Sequence, residues 1–352
     1  MPVNPADNDK RFVEYKGVIH VHSFLGGHSS GTFAEIIDAA KANGLQFVIM
    51  TEHTEKDFDT SAMTLRGTHA GVLFVNGNEV STADDDRLLV VPGDATFAGS
   101  AATQDVLNAA ASRRSLAIAA YPEEFESWEA SGMSGVEVFN VYTNARSINP
   151  IVAFFDVLWS RRSYPELIFA LYYTRPDEGL KKWDQALTRS RATGLAGNDA
   201  HANIGLHLKD SSGKTLLGIQ LDPYETSFRL VRMHVLLEQG KPLNEANLLE
   251  ALRAGHCFIG FDFLSDTSGF SFTAGSGIQG DEIPLRPNMQ LTVRTPVPSR
   301  VVLFRDGVQV AEENGVTNKD FAVTERGVYR VEVYLPQLSR APWIISNPIY
   351  VR

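Results

Sequence analysis

Between residues 17 and 200 the chain alternates short apolar runs with stretches whose apolar residues recur every three to four positions. Gly17–His22 and Leu45–Glu52 read as strands. Between them, Phe33, Ile36, Ile37 and Ala40 lie on one face of a helix. Thr32-Phe-Ala-Glu35 supplies a capping box for that helix, and Asn43-Gly44 a stop. A strand–helix–strand unit of this kind favours a right-handed parallel crossover. Further strands are expected at Val72–Asn76, Leu88–Val91, Leu116–Tyr121, Gly135–Asn140 and Gly194–Asn198. Helices are expected at Thr103–Arg113, Ile151–Arg161, Lys181–Ala192, Thr226–Gln239 and Glu245–Ala254. Such a succession predicts an α/β barrel rather than an open sheet.

After His256 the period changes to two, and no helical stretch remains. Gly269–Thr273, Met289–Arg294, Val301–Phe304, Phe321–Thr324 and Val328–Tyr334 read as strands. Arg305-Asp306-Gly307-Val308 between two of them is a hairpin turn signal, because the turn needs residues that tolerate φ > 0. The pattern therefore predicts two domains: an α/β barrel over residues 1–257 and a β-sandwich over residues 258–352.

Charge narrows the partners. The 352 residues carry 32 Lys and Arg against 42 Asp and Glu, a net charge of −10, with no basic run. Nucleic acid is an unsuitable partner, since its phosphates need clustered cations. An anionic small-molecule substrate remains compatible if metal ions supply local positive charge. The single cysteine, Cys257, excludes a disulfide framework and a Cys-rich metal site. No apolar run reaches membrane-spanning length, and the first ten residues lack a signal-peptide pattern. These features predict a soluble protein, cytoplasmic unless an export signal preceded this sequence.

The nine histidines carry the chemistry. His20 and His22 are two apart at a strand end, so both imidazoles fall on one face about 7 Å apart along the chain. Asp199-Ala-His201 repeats the spacing after another apolar run. His53 follows Phe47-Val-Ile-Met50, and Glu79 follows Val72-Leu-Phe-Val75. Imidazoles and carboxylates gathered at successive strand ends make a multidentate cation site. His234, by contrast, is expected at the surface or on a helix face.

In order along the chain, His20-Val-His22-Ser23, Thr51-Glu52-His53, Gly77-Asn78-Glu79, Gly135-Val-Glu-Val138 and Gly197-Asn198-Asp199-Ala200-His201 resemble the motifs of the PHP (polymerase and histidinol phosphatase) superfamily. The tail around Pro342–Tyr350 resembles that of its carbaryl-hydrolase-like members. The resemblance implies a distorted (β/α)7 TIM-like barrel holding two to three divalent ions, zinc, manganese or iron. It implies that His20, His22, Glu79 and Asp199 hold one ion and that His53 and His201 hold another. Ser30 stands where many members have an Asp, so His28 is nominated as the substitute ligand. Tyr121 stands where the family has a His; a phenol, with its pKa near 10, is a poorer ligand than imidazole. Asn140 is a second weak oxygen-ligand candidate, and Arg146 a candidate clamp for an anion.

The expected activity is metal-dependent hydrolysis by a water activated on the bound ions, with a phosphoester as the favoured substrate. Ester, carbamate or amide hydrolysis is the first alternative. A degenerate barrel serving as a binding module is the second.

Overall fold

The computed structural model describes residues 11–27, 29–97, 101–141, 143, 173–202, 205–209, 215–220 and 223–352. Strand β1 (Phe12–Val21) is followed by a 3-10 turn (Phe24–Gly26), helix α1 (Phe33–Ala42) and strand β2 (Phe47–Met50). The expected capping box is present: Thr32 Oγ1 accepts from Glu35 N at 3.3 Å, and the Glu35 carboxylate accepts from Thr32 N at 2.8 Å. Helix α1 buries Ile36, Ala39 and Ala40, and β1 and β2 run parallel.

After Thr51 the chain enters β3 (Glu52–His53), then α2 (Thr60–Met63) and a hairpin, β4 (Gly67–His69) and β5 (Val72–Val75). Next come β6 (Asn78–Ser81), β7 (Arg87–Val91), α3 (Thr103–Arg113), β8 (Leu116–Ala119) and β9 (Gly135–Asn140). Helix α4 (Asp177–Leu187) then leads into β10 (Thr193–Gly197). These strands make a six-stranded sheet in the order β10-β9-β8-β7-β6-β3. The hairpin of β11 (Gly205–Lys209) and β12 (Thr215–Gln220) stands apart as a two-stranded sheet.

Helix α5 (Tyr224–Leu230) precedes β13 (Arg232–Glu238), and α6 (Glu245–Ala254) precedes β14 (Cys257–Gly260). Eight strands follow: β15 (Ser271–Ala274), β16 (Gly277–Ile278), β17 (Glu282–Ile283), β18 (Met289–Arg305), β19 (Val308–Val323), β20 (Gly327–Tyr334), β21 (Ile344–Ser346) and β22 (Ile349–Val351). The hairpin turn falls where expected: Arg305 pairs with Val308, and Asp306 and Gly307 both have positive φ, 51° and 79°.

The expected (β/α)7 barrel is not the fold. No closed barrel is present among the described residues; a large mixed sheet of 14 strands lies beside the six-stranded one. Three features break the barrel pattern. Strands β6, β7 and β8 are antiparallel neighbours. Strand β1 pairs antiparallel with β13, which pairs antiparallel with β14. Strand β14 also pairs with β21, so the C-terminal strands continue the large sheet. The helix expected over Thr226–Gln239 stops at Leu230, because Met233–Leu237 is a continuous buried strand. An apolar run of that length has no period that separates strand from helix. The helix expected at Ile151–Arg161 lies outside the described residues.

Two contacts fix the strands that bear the site. The Asn347 side chain, from the turn after β21, accepts from Gly194 N at 2.8 Å and donates to Gly194 O at 3.0 Å, clamping β10. Backbone bonds also join the two sheets: Asn198 N donates to Ile19 O (3.0 Å), and His22 N donates to Ala200 O (3.0 Å). The ends of β1 and β10 are thereby held side by side.

Candidate metal centre

Residues from the ends of β1, β3 and β10 and from within β6 meet in one buried cluster. The pairing of β1 with β2 shifts register between Val18 and Val21, and His20 there has φ of 63°. Tyr121, Asp199 and Ala202, at 49°, 47° and 50°, share this left-handed conformation. Each such non-glycine residue costs on the order of 1 kcal/mol or more, and their concentration marks a place where geometry overrides local preference.

The ligand-type atoms converge. His20 Nε2 and His22 Nε2 each lie 3.2 Å from Glu79 Oε2. They lie 3.5 and 3.6 Å from Asp199 Oδ1. These edges match those of a tetrahedron of donors around an ion with bonds of about 2.0–2.2 Å. A second group shares His22: its ring stacks between His53 (4.7 Å, 19°) and His201 (4.2 Å, 18°). His53 Nδ1 lies 3.6 Å from Glu79 Oε2, and His201 Nδ1 lies 3.3 Å from Asp199 Oδ1. His20, His22, Glu79 and Asp199 are buried, whereas the side chains of His53 and His201 are 23% and 16% exposed. The open side of the cluster is therefore that of His53 and His201.

Partnering tests whether a cation fits. Both ring nitrogens of His22 and Oδ1 of Asp199 are buried without a hydrogen-bond partner. Of the short approaches to Glu79 and Asp199, that of His20 Nε2 to Glu79 Oε2 is a hydrogen bond, whereas His22 Nε2 and Asp199 Oδ1 form none. An unsatisfied buried polar atom costs about 1–3 kcal/mol, so a bound cation would relieve the cost at His22 Nε2 and Asp199 Oδ1, which lie 3.6 Å apart. Imidazole and carboxylate suit zinc, iron or manganese, and the residues present fit such an ion.

The electrostatics agree. Complete burial pulls the His22 imidazole down to about 4, leaving it neutral as a ligand must be. Burial opposes protonation of His20 too, but Glu137 and Asp199 raise it well above the usual value. Glu79, despite burial, is held well below the carboxylate range by His20 and His22. Asp199 is likewise lowered against its burial, by His20, His22 and His201. Burial raises Glu137, and it raises the Tyr121 phenol together with the charges of Glu79, Asp199 and Glu137.

Of the residues singled out in the sequence, six therefore meet: His20, His22, His53, Glu79, Asp199 and His201. Tyr121 and Asn140 reach the cluster as donors to Asp199 Oδ2, at 2.9 and 3.3 Å. His28 and Arg146 lie outside the described residues. Ser30 turns away, donating to Ala202 O at 2.9 Å.

Several residues escaped the sequence reading. Glu137 Oε1 is 2.6 Å from His20 Nδ1, and Glu137 Oε2 accepts from Asn140 at 3.1 Å. The signal was a lone acidic residue inside an apolar strand. Glu52 is fully buried and accepts from Ser23 N (2.9 Å), Ser23 Oγ (2.6 Å) and Thr64 Oγ1 (2.7 Å), anchoring the turn after His22. Tyr224 donates to His22 O at 2.6 Å. Arg87, 39% exposed, lies 3.8 Å from Glu79 Oε1 and brings a cation to the cluster. His234, expected at the surface or on a helix face, is instead buried in β13.

No protein-family profile matches the chain, and no curated protein matches it. Among solved structures, PsfC from Pseudomonas syringae PB-5123 is similar at 17% identity with a TM-score of 0.39. That likeness covers 68% of this chain and 88% of that one, and at this level it carries no argument about activity.

Proposed function

We propose that the protein is a metal-dependent hydrolase of small anionic substrates, with phosphoesters as the favoured class. The observation that carries this reading is the set of orphaned atoms, His22 Nδ1 and Nε2 and Asp199 Oδ1, buried among four imidazoles and two carboxylates. Divalent cations, when bound, acidify a water molecule and polarise the oxygen of the scissile bond. The residues of the chain do the rest. His20, His22, Glu79 and Asp199 supply the buried donors, and Glu137 holds the tautomer and orientation of His20 through Nδ1. His53 and His201 border the open side. Arg87 offers a partly exposed guanidinium to substrate negative charge, which supports an anionic substrate.

The test is elemental analysis of protein purified without chelator, paired with a panel of nitrophenyl phosphate, phosphodiester and carboxylic ester. Bound zinc, manganese or iron, lost together with phosphoester turnover in His22→Ala, is the expected result. Turnover that survives exhaustive chelation overturns the reading. Ester turnover without phosphoester turnover moves the substrate class.

A further inference from the structure

The two oxygens of Asp199 have different surroundings. Oδ2 accepts from the Tyr121 hydroxyl at 2.9 Å and from Asn140 Nδ2 at 3.3 Å. Oδ1 has no hydrogen bond and faces His20, His22 and His201 at 3.5, 3.6 and 3.3 Å. Asn140 is held on both sides: Nδ2 also donates to Glu137 Oε2 (3.1 Å), and Oδ1 accepts from Thr143 N (3.1 Å). Asp199 Oδ2 thus accepts two hydrogen bonds, which occupy both of its lone pairs on this edge, and the Tyr121 proton points into Asp199. A donor proton directed at Oδ2 takes the lone pair that a cation on this edge would need.

We infer that Tyr121 and Asn140 are positioning residues, not ligands: they hold Asp199 to a single outward oxygen and close their edge of the cluster to cations. Among the described residues the centre then has donors for no more than two ions, all on the imidazole side of Glu79 and Asp199. A cation held through Tyr121 and Asn140, the two doubtful ligands, has no place here, because both act as hydrogen-bond donors to Asp199 Oδ2. Freeing Asp199 Oδ2 would let the carboxylate rotate, so its donors set metal affinity without touching the metal. The inference rests on the metal-binding half of the proposed function and is independent of which bond is cleaved.

The experiment is zinc and manganese titration with elemental analysis on wild type, Tyr121→Phe and Asn140→Ala, with circular dichroism to confirm folding. Tyr121→Phe is the conservative variant and decides the matter if Asn140→Ala does not fold. The expected result is at most two equivalents in wild type and the same number in Tyr121→Phe, with about ten-fold weaker affinity. Protein loaded with ferric iron should show no tyrosinate-to-iron charge-transfer absorption. A third equivalent that disappears in Tyr121→Phe, or such an absorption band, overturns the inference and leaves the hydrolase reading standing. Unchanged affinity in Tyr121→Phe removes the positioning role. A wild type that binds no ion overturns both.

Discussion

Glu137 Oε1 and His20 Nδ1 stand 2.6 Å apart, both fully buried, and this pair leaves His20 Nε2 as the only ring nitrogen facing the cluster. A carboxylate behind a ligating imidazole fixes its tautomer and raises its basicity. Glu137→Gln keeps an acceptor oxygen but removes the charge. It should weaken zinc affinity by about ten-fold, within the range for such outer partners, with stoichiometry unchanged. Competition with a chromophoric chelator measures this, and an unaltered affinity would remove Glu137 from the site.

Gly197 gives that pair its room. A Cβ there would lie 1.7 Å from Glu137 Oε1 and 3.0 Å from His20 Cβ. The Glu137 carboxylate cannot swing aside without losing His20 and Asn140 together. Gly197→Ala should therefore weaken metal binding at least as much as Glu137→Gln, and destabilise the fold by about 1–3 kcal/mol through overpacking. Urea unfolding beside a metal titration tests both; wild-type affinity in Gly197→Ala would show that the carboxylate has another resting place.

The cluster was largely legible because ligand-type residues followed apolar runs: His20 and His22 after Val18-Ile19, His53 after Met50, Asp199 and His201 after Ala196. Glu137 was not, since alternation assigns a polar strand residue to solvent, and β9 is buried on both faces. Arg87 was hidden for a different reason, its nearness to Glu79 arising from the antiparallel pairing of β6 and β7. Periodicity identifies strands without giving their direction, and the barrel expectation failed on that point. The run Met233–Leu237 failed on another, being apolar without a readable period.

Arg87 should act on substrate and not on metal. Its carbonyl accepts from Ala120 N at 3.0 Å, fixing the backbone beside Tyr121, while its guanidinium remains partly open to solvent. A charged hydrogen bond contributes about 1.5–3 kcal/mol, and partial exposure places Arg87 at the lower end. Arg87→Ala should raise KM for a phosphoester about ten-fold with metal content unchanged, and Arg87→Lys should recover part of the loss. An unchanged KM for anionic substrates would assign the guanidinium to Glu79 alone.

A buried histidine outside the cluster should make stability depend on pH from the alkaline side. His234 Nδ1 lies 2.6 Å from Glu14 Oε1, and Nε2 lies 3.3 Å from Asp262 Oδ1 and 2.8 Å from Thr267 Oγ1. Arg232 also bonds Asp262, at 3.2 Å. Burial alone would lower His234, yet Asp262 and Glu14 outweigh it and raise the imidazole to about 9. Two carboxylates then face two cations, and deprotonation would leave a buried negative charge uncompensated. The folded value exceeds the unfolded one, near 6.5, so the contribution is fully present below pH 6.5 and is lost as pH rises through about 9. Its size is about 3 kcal/mol as an upper bound. His20, raised in the same sense, adds to this slope only while no metal holds it. Urea unfolding between pH 6 and 10, at one fixed metal loading, should therefore show falling stability in wild type and a flatter profile in His234→Gln. Parallel slopes in the two proteins would mean that His234 is neutral in the folded chain.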